Sequence, residues 1–138
     1  MADHPQKTGA RARPMSPHLT IYRWQVTMLA SITHRLTGVG LGVGALVLVW
    51  WLVAVSNGPE GYENFMSYAE TPLGLLILFG FAWSLAFHFL NGIRHLWQDL
   101  GLGYAVATFV RAGWVVLIGS FVLTALVWAC VLARGGAA

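Results

Sequence analysis

Charged residues are scarce in this chain of 138 residues, of which 9% are Asp, Glu, Lys or Arg and 57% are hydrophobic. Soluble domains carry about 25% charged residues, so the composition argues against a soluble domain and indicates a membrane protein. The chain has one cysteine, Cys130, and no CxxC or CxxCH motif. This argues against iron–sulfur clusters, covalently attached c-type haem and an internal disulfide. We expect Cys130 to be a buried structural thiol.

Three long runs contain no Lys, Arg, Asp or Glu: 36–55, 72–93 and 112–133. Each is long enough to cross a hydrocarbon core about 30 Å thick. The runs lack the apolar/polar alternation of barrel strands, and backbone groups in lipid must bond within their own segment, so helices are predicted. The predicted fold is all-α, with three transmembrane helices over about 29–55, 72–97 and 110–133.

The chain divides into an N-terminal arm and interfacial segment over 1–28 and a membrane domain over 29–138. In the segment 13–25, two prolines and the pair Tyr22 and Trp24 suit a chain lying at the membrane interface. No small-residue cleavage site follows the first apolar run, so we expect it to stay as a spanning helix and not to be a cleaved signal peptide. The charge-free runs predict connections of about 16 and 18 residues, the first with an outside turn and a short surface helix.

Lys and Arg are distributed unevenly about the predicted spans. Arg134 lies at the C-terminal end and the connection 56–71 has no basic residue, whereas seven lie before the first span or around the second connection: Lys7, Arg11, Arg13, Arg23, Arg35, Arg94 and Arg111. The positive-inside rule then predicts a cytoplasmic N-terminus and a periplasmic C-terminus. Because these charges are spread over interfacial loops, they do not predict binding of nucleic acid.

A polar stripe runs along the second predicted helix, at spacings of three and four residues: Ser84, His88, Asn91, Gly92, His95 and Asp99. At 1.5 Å per residue, His88 lies about 9 Å inside the inner interface, which is too deep for simple solvation. It either hydrogen-bonds across a helix pair or ligates a metal or haem. Gly92 one turn away and the aromatic neighbours favour haem. Ser84 could bond the other ring nitrogen of His88, and Arg94 and His95 could meet the haem propionates.

A second group of polar residues lies at the start of the first span, in "SITHRLTG". Ser31 and Arg35 share a helix face, and His34 lies beside them at a depth that we expect to be shallower than that of His88. Arg35 could simply snorkel to the interface and Ser31 could be a helix-contact hydroxyl. Together, a hydroxyl donor and a guanidinium at the bilayer edge suit a quinone, whose two carbonyl oxygens gain negative charge on reduction.

Three motifs carry a family resemblance: "RPMSPHLTIYRW", "SITHRLTG" and "HFLNGIRHLWQDLG". Together they resemble the cytochrome b membrane-anchor subunit of succinate dehydrogenase, complex II, from Arg13 through the third helix, which matches mainly in hydropathy. "WQD" departs slightly from the usual tryptophan and aspartate pairing after "RHL".

The resemblance implies roles for particular residues and partners. His88 would be an axial ligand of haem b, with the second axial histidine supplied by another small anchor subunit in a heteromeric helix bundle. Ser31 and Arg35 would help form the ubiquinone site, and His34, Arg94 and His95 would lie near the propionates or the quinone pocket. An iron–sulfur subunit and a flavoprotein subunit would dock on the inside face, so this chain alone is not a catalyst.

Other functions remain open at this point. The chain could be a structural anchor without haem, or a small transporter or channel component, although three spans without an internal repeat make a transporter a poor fit. The short arm does not form a convincing transit peptide, which favours a bacterial inner membrane over a mitochondrial precursor.

Overall fold

The computed structural model describes residues 21–135; residues 1–20, with Lys7, Arg11 and Arg13, and residues 136–138 lie outside that range. The described residues form four α-helices and no strand: α1 Val26–Ser56, α2 Pro59–Ala69, α3 Pro72–Asp99 and α4 Val106–Gly135. Helices α1, α3 and α4 are long and apolar enough to cross a membrane. The predicted all-α fold with three membrane helices is therefore confirmed. The division into an arm over 1–28 and a membrane domain over 29–138 stays a prediction.

The connection between α3 and α4 differs from the expected one. It spans only residues 100–105, because α3 continues to Asp99 and α4 begins at Val106. The prediction of about 18 residues is wrong because a charge-free run marks the part of a helix in lipid, whereas the helix itself continues into the interface. Gly101 and Gly103, with φ of 77° and 78°, end α3 and turn the chain.

The connection between α1 and α3 contains the short helix that the sequence predicted, α2. Gly58, at φ 84°, reverses the chain after α1, and Pro59 begins α2. Thr71 then caps α3, since its Oγ1 accepts a hydrogen bond from Gly74 N at 3.0 Å. Phe65 packs against Trp50 with 4.8 Å between ring centroids, which holds α2 against the end of α1.

Burial in this bundle differs from that in a soluble protein. Few apolar side chains are buried among the described residues: Ala30, Phe87 and Val116 form one cluster, while large apolar side chains such as Leu46 are 70% exposed. Polar residues are buried as well: Ser120 is fully buried and accepts a hydrogen bond from Trp83 Nε1 at 3.2 Å. Lipid tails solvate apolar side chains as well as protein does, so small and polar residues form the helix contacts.

Cys130 is exposed on the surface of α4. The expectation of a buried thiol is therefore wrong for this chain. A thiol behaves as a small apolar group, and in a membrane helix an apolar group needs no protein neighbour to avoid water.

A close approach of α1 and α4 depends on the absence of a side chain at Gly113. A Cβ at that position would lie 3.3 Å from Val26 Cγ1. We expect Gly113→Leu to separate the helices and to destabilise the bundle by about 1–3 kcal/mol. The midpoint of thermal unfolding of the purified protein should fall. Ala125→Leu, which adds bulk on an exposed position of α4, should leave it unchanged, and equal midpoints for both variants would contradict this packing.

Candidate haem and quinone site

Three imidazoles come together where the first part of α1 faces the second half of α3. The His34 and His88 rings are stacked with centroids 3.9 Å apart and planes 12° from parallel. His95 lies on the same side, with its centroid 5.1 Å from that of His34. Since 3.9 Å separates the centroids of the two stacked rings, the depths of His34 and His88 in the membrane differ by no more than that distance. The expectation that His34 lies shallower than His88 stays a prediction.

The protonation state of neutral His88 follows from its neighbours on α1. Its Nδ1 lies 3.2 Å from the backbone oxygen of His34, and a carbonyl oxygen can only accept. The same Nδ1 lies 3.3 Å from Thr37 Oγ1, whose own proton is directed to the carbonyl oxygens of Thr33 at 2.8 Å and His34 at 3.0 Å. Both neighbours therefore require Nδ1 to carry the proton, and the lone pair lies on Nε2.

The free nitrogen of His88 is open at the surface of the chain. Nε2 makes no hydrogen bond within residues 21–135 and is not among their buried polar atoms. Gly38 leaves room for this ring, because a Cβ there would lie 3.1 Å from His88 Cε1. An imidazole held in one orientation with an accessible Nε2 lone pair could hold a haem iron. The residues present therefore fit the group.

Thr37, and not Ser84 as the sequence suggested, is the side chain that contacts His88 Nδ1. The described hydrogen bonds of His88 lead to α1 and none leads to Ser84. Ser84 precedes His88 by one turn on the same helix, whereas the Nδ1 edge of the ring faces the neighbouring helix. Thr37 lies in "SITHRLTG", three residues after His34, and its helical spacing from His34 was the signal that could have identified it.

The polar stripe on α3 continues from His88 toward the end of the helix. Asn91 is fully buried, and its Nδ2 donates to His95 Nε2 at 3.0 Å. Asn91 Oδ1 has no hydrogen-bond partner among the described residues. His95 is exposed, so this end of the stripe reaches the surface. Asn91 therefore orients the His95 ring from inside the bundle.

Arg94 lies on a different face of α3 from His88. It follows His88 by six residues, which places it about 240° around the helix. Its guanidinium lies over the Phe109 ring of α4, 4.3 Å from the centroid, and the residue is only 8% exposed. Arg94 therefore belongs to the cleft between α3 and α4, whereas His34, His88 and His95 face α1 or the surface.

Ser31 and Arg35 lie on a neighbouring face of α1, about 40° apart around the helix. Ser31 is half-buried and Arg35 is exposed, so both reach the surface of this chain close to His34 in the sequence. Among the described residues, no three His, Cys, Asp or Glu side chains are placed to hold a metal ion together.

Residues 9–127 match the protein family described as succinate dehydrogenase/fumarate reductase transmembrane subunit. The chain belongs to this family. The match covers the polar motifs of α1 and α3 and most of α4, and it confirms the resemblance drawn from those motifs.

Relatives of this transmembrane subunit come from bacteria and from mitochondria. The succinate dehydrogenase cytochrome b556 subunit of Rickettsia prowazekii is 40% identical over 116 residues, covering 84% of this chain and 90% of the relative. That of Paracoccus denitrificans is 37% identical over 114 residues, covering 83% and 88%. The mitochondrial cytochrome b560 subunit of Sus scrofa is 40% identical over 111 residues, covering 77% of this chain and 64% of the relative.

Proposed function

We propose that this chain is a membrane-anchor subunit of a succinate:ubiquinone oxidoreductase, that it shares a b-type haem with a second anchor subunit, and that it forms part of the ubiquinone site. The observation that carries the haem part is the arrangement at His88, where two acceptors on α1 hold the proton on Nδ1 and leave Nε2 free. The relatives are named as cytochrome b subunits, which supports the same cofactor.

His88 would hold the haem iron together with a histidine of the second anchor subunit. When bound, a b-type haem supplies a centre that accepts and returns one electron. The His34 carbonyl and the Thr37 hydroxyl would fix the orientation and tautomer of the His88 ring, as the outer partners of ligating histidines do. His34 and His95, on the same side, are proposed to lie near the propionates or the quinone pocket.

Ser31 and Arg35 are proposed to bind ubiquinone, the substrate that takes electrons from the iron–sulfur subunit. The Ser31 hydroxyl would donate a hydrogen bond to one quinone oxygen, and the Arg35 guanidinium would stabilise negative charge on the reduced ring. Arginine stays protonated and serine is a poor acid, so the protons would come through water or from a partner residue. The flavoprotein and iron–sulfur subunits would dock on the side where these residues lie.

A haem-free structural anchor and a small transporter or channel component are the competing functions. A reduced-minus-oxidised spectrum of the purified complex separates the proposed function from both of these, because only a haem-binding complex gives a reducible b-type spectrum. A complex without that spectrum would overturn the haem proposal.

The orientation of the chain is proposed to be N-terminus inside and C-terminus outside, in a bacterial inner membrane. We use a reporter enzyme that is active only in the periplasm and expect it to be active when it is fused after Ala138. In this orientation seven of the eight basic residues lie inside, as the positive-inside rule requires. The same reporter fused in the connection 100–105 should report the cytoplasm. A cytoplasmic C-terminal reporter would contradict the proposed orientation.

A further inference from the structure

Arg94 is the one cation that the described part of the chain buries without an oxygen partner. It is 8% exposed, and neither Nε nor Nη2 has a hydrogen-bond partner within residues 21–135. The Phe109 ring beneath the guanidinium compensates part of the charge, but a ring face accepts none of its in-plane N–H groups. A buried arginine stays charged, so its unused donors favour an anion.

A cavity of about 390 Å³ adjoins this guanidinium between the end of α3 and the beginning of α4. Its polar lining includes Arg94, Gln98 and Thr108, and its apolar lining includes Leu90, Ile93 and Val116. The polar residues lie toward the helix ends and the apolar ones deeper, since Gln98 and Leu90 are eight residues, about 12 Å, apart along α3. The cavity is therefore amphipathic along the axis of α3.

The beginning of α4 adds hydrogen-bond donors to the polar end of this cavity. The helix starts at Val106, and Phe109 N donates a hydrogen bond to Ala105 O. The amides that come before Phe109 in the first turn have no acceptor within the helix. Thr108, in that turn, lines the cavity. A helix N-terminus attracts negative charge, and here it lies beside the unpaired guanidinium.

The geometry points to a phospholipid site in this cleft, with the lipid phosphate on Arg94 and the first turn of α4 and an acyl chain along the apolar wall. A free phosphate ion has no apolar part that could contact this wall. The N-terminal segment 1–20 is a poor occupant, because it carries Lys7, Arg11 and Arg13 against a single acidic residue, Asp3. The inference needs only the membrane setting and is independent of the haem and quinone proposals.

Native mass spectrometry of the purified complex tests the site. After mild delipidation, the wild-type complex should retain one phospholipid more than Arg94→Gln does. Added dioleoyl phosphatidylglycerol should bind the variant at least about tenfold more weakly, the loss that one or two charged hydrogen bonds produce. Arg111→Gln, which removes an exposed arginine of α4 outside the cavity, should behave as wild type, and Arg94→Lys should recover part of the affinity.

Four outcomes would overturn the inference. Equal lipid retention in wild type and Arg94→Gln would remove the site, and equal loss in Arg111→Gln would show general surface attraction. Inorganic phosphate competing as well as the lipid would make this an anion site without a lipid. Unchanged lipid together with a shifted haem spectrum in Arg94→Gln would identify a haem propionate as the occupant. If Arg94→Gln does not assemble, Val115→Trp decides, since it narrows the apolar end without touching the guanidinium, and it should also lose the lipid.

Discussion

His88→Leu is expected to abolish the native b-type spectrum of the assembled complex. Leucine keeps the apolar bulk of the side chain but removes the Nε2 lone pair that we propose as an axial ligand. The bundle should still form, because the buried core of Ala30, Phe87 and Val116 is unchanged. The measurement is a reduced-minus-oxidised spectrum on complexes whose subunit content has been verified.

Two variants on α1 serve as controls for His88→Leu. His34→Ala removes the stacked ring but no proposed ligand, so axial coordination should persist. Thr37→Val removes one of the two acceptors of the His88 Nδ1 proton and leaves the His34 carbonyl, so the spectrum should stay b-type. An unchanged spectrum in His88→Leu, or its loss only in His34→Ala, would move the ligand to another residue.

Ser31→Ala is expected to slow succinate-driven ubiquinone reduction by about one to two powers of ten. Loss of one hydrogen bond in a buried site corresponds to about 1–3 kcal/mol, which gives this range of rates. Arg35→Leu should slow the reaction more, because it removes a charge-assisted interaction with the reduced quinone. Arg35 also contributes to topology, so assembly must be verified first.

The assay compares two acceptors on the same preparation. A soluble dye that takes electrons upstream of the membrane subunits should be reduced at the wild-type rate in both variants, whereas ubiquinone should not. Thr33→Val, which changes a neighbouring hydroxyl on another face of α1, is the matched control. Wild-type quinone kinetics and inhibitor binding in Ser31→Ala would make that serine a packing residue and place the quinone site elsewhere.

His88→Leu and Ser31→Ala report on different parts of the proposed site. His88 lies on α3 and is held by α1, whereas Ser31 and Arg35 lie on a face of α1 that reaches the surface. A quinone defect with an intact spectrum in Ser31→Ala, and a lost spectrum in His88→Leu, would show that Ser31 serves quinone binding separately from the haem ligation at His88.

The three membrane helices, the short helix after Gly58 and the residues of the family motifs could all be predicted from the amino-acid sequence alone. The length of a charge-free run is enough to predict a membrane helix, because a segment in lipid must satisfy its backbone hydrogen bonds internally. Charge-free length could not place helix ends or neighbours, so the connection after α3 was predicted too long and Cys130 was expected to be buried.

The contacts between the polar residues could not be predicted from the sequence and depend on how the helices pack. The stack of His34 on His88, the Thr37 hydroxyl at His88 Nδ1 and the position of Arg94 over Phe109 all join different helices. A helical repeat shows which residues share a face, but the rotation and tilt of that face against its neighbour come from packing of small and polar side chains across the interface. For that reason the motifs predicted a haem ligand, and the packing of α1 against α3 determined which of its nitrogens is free.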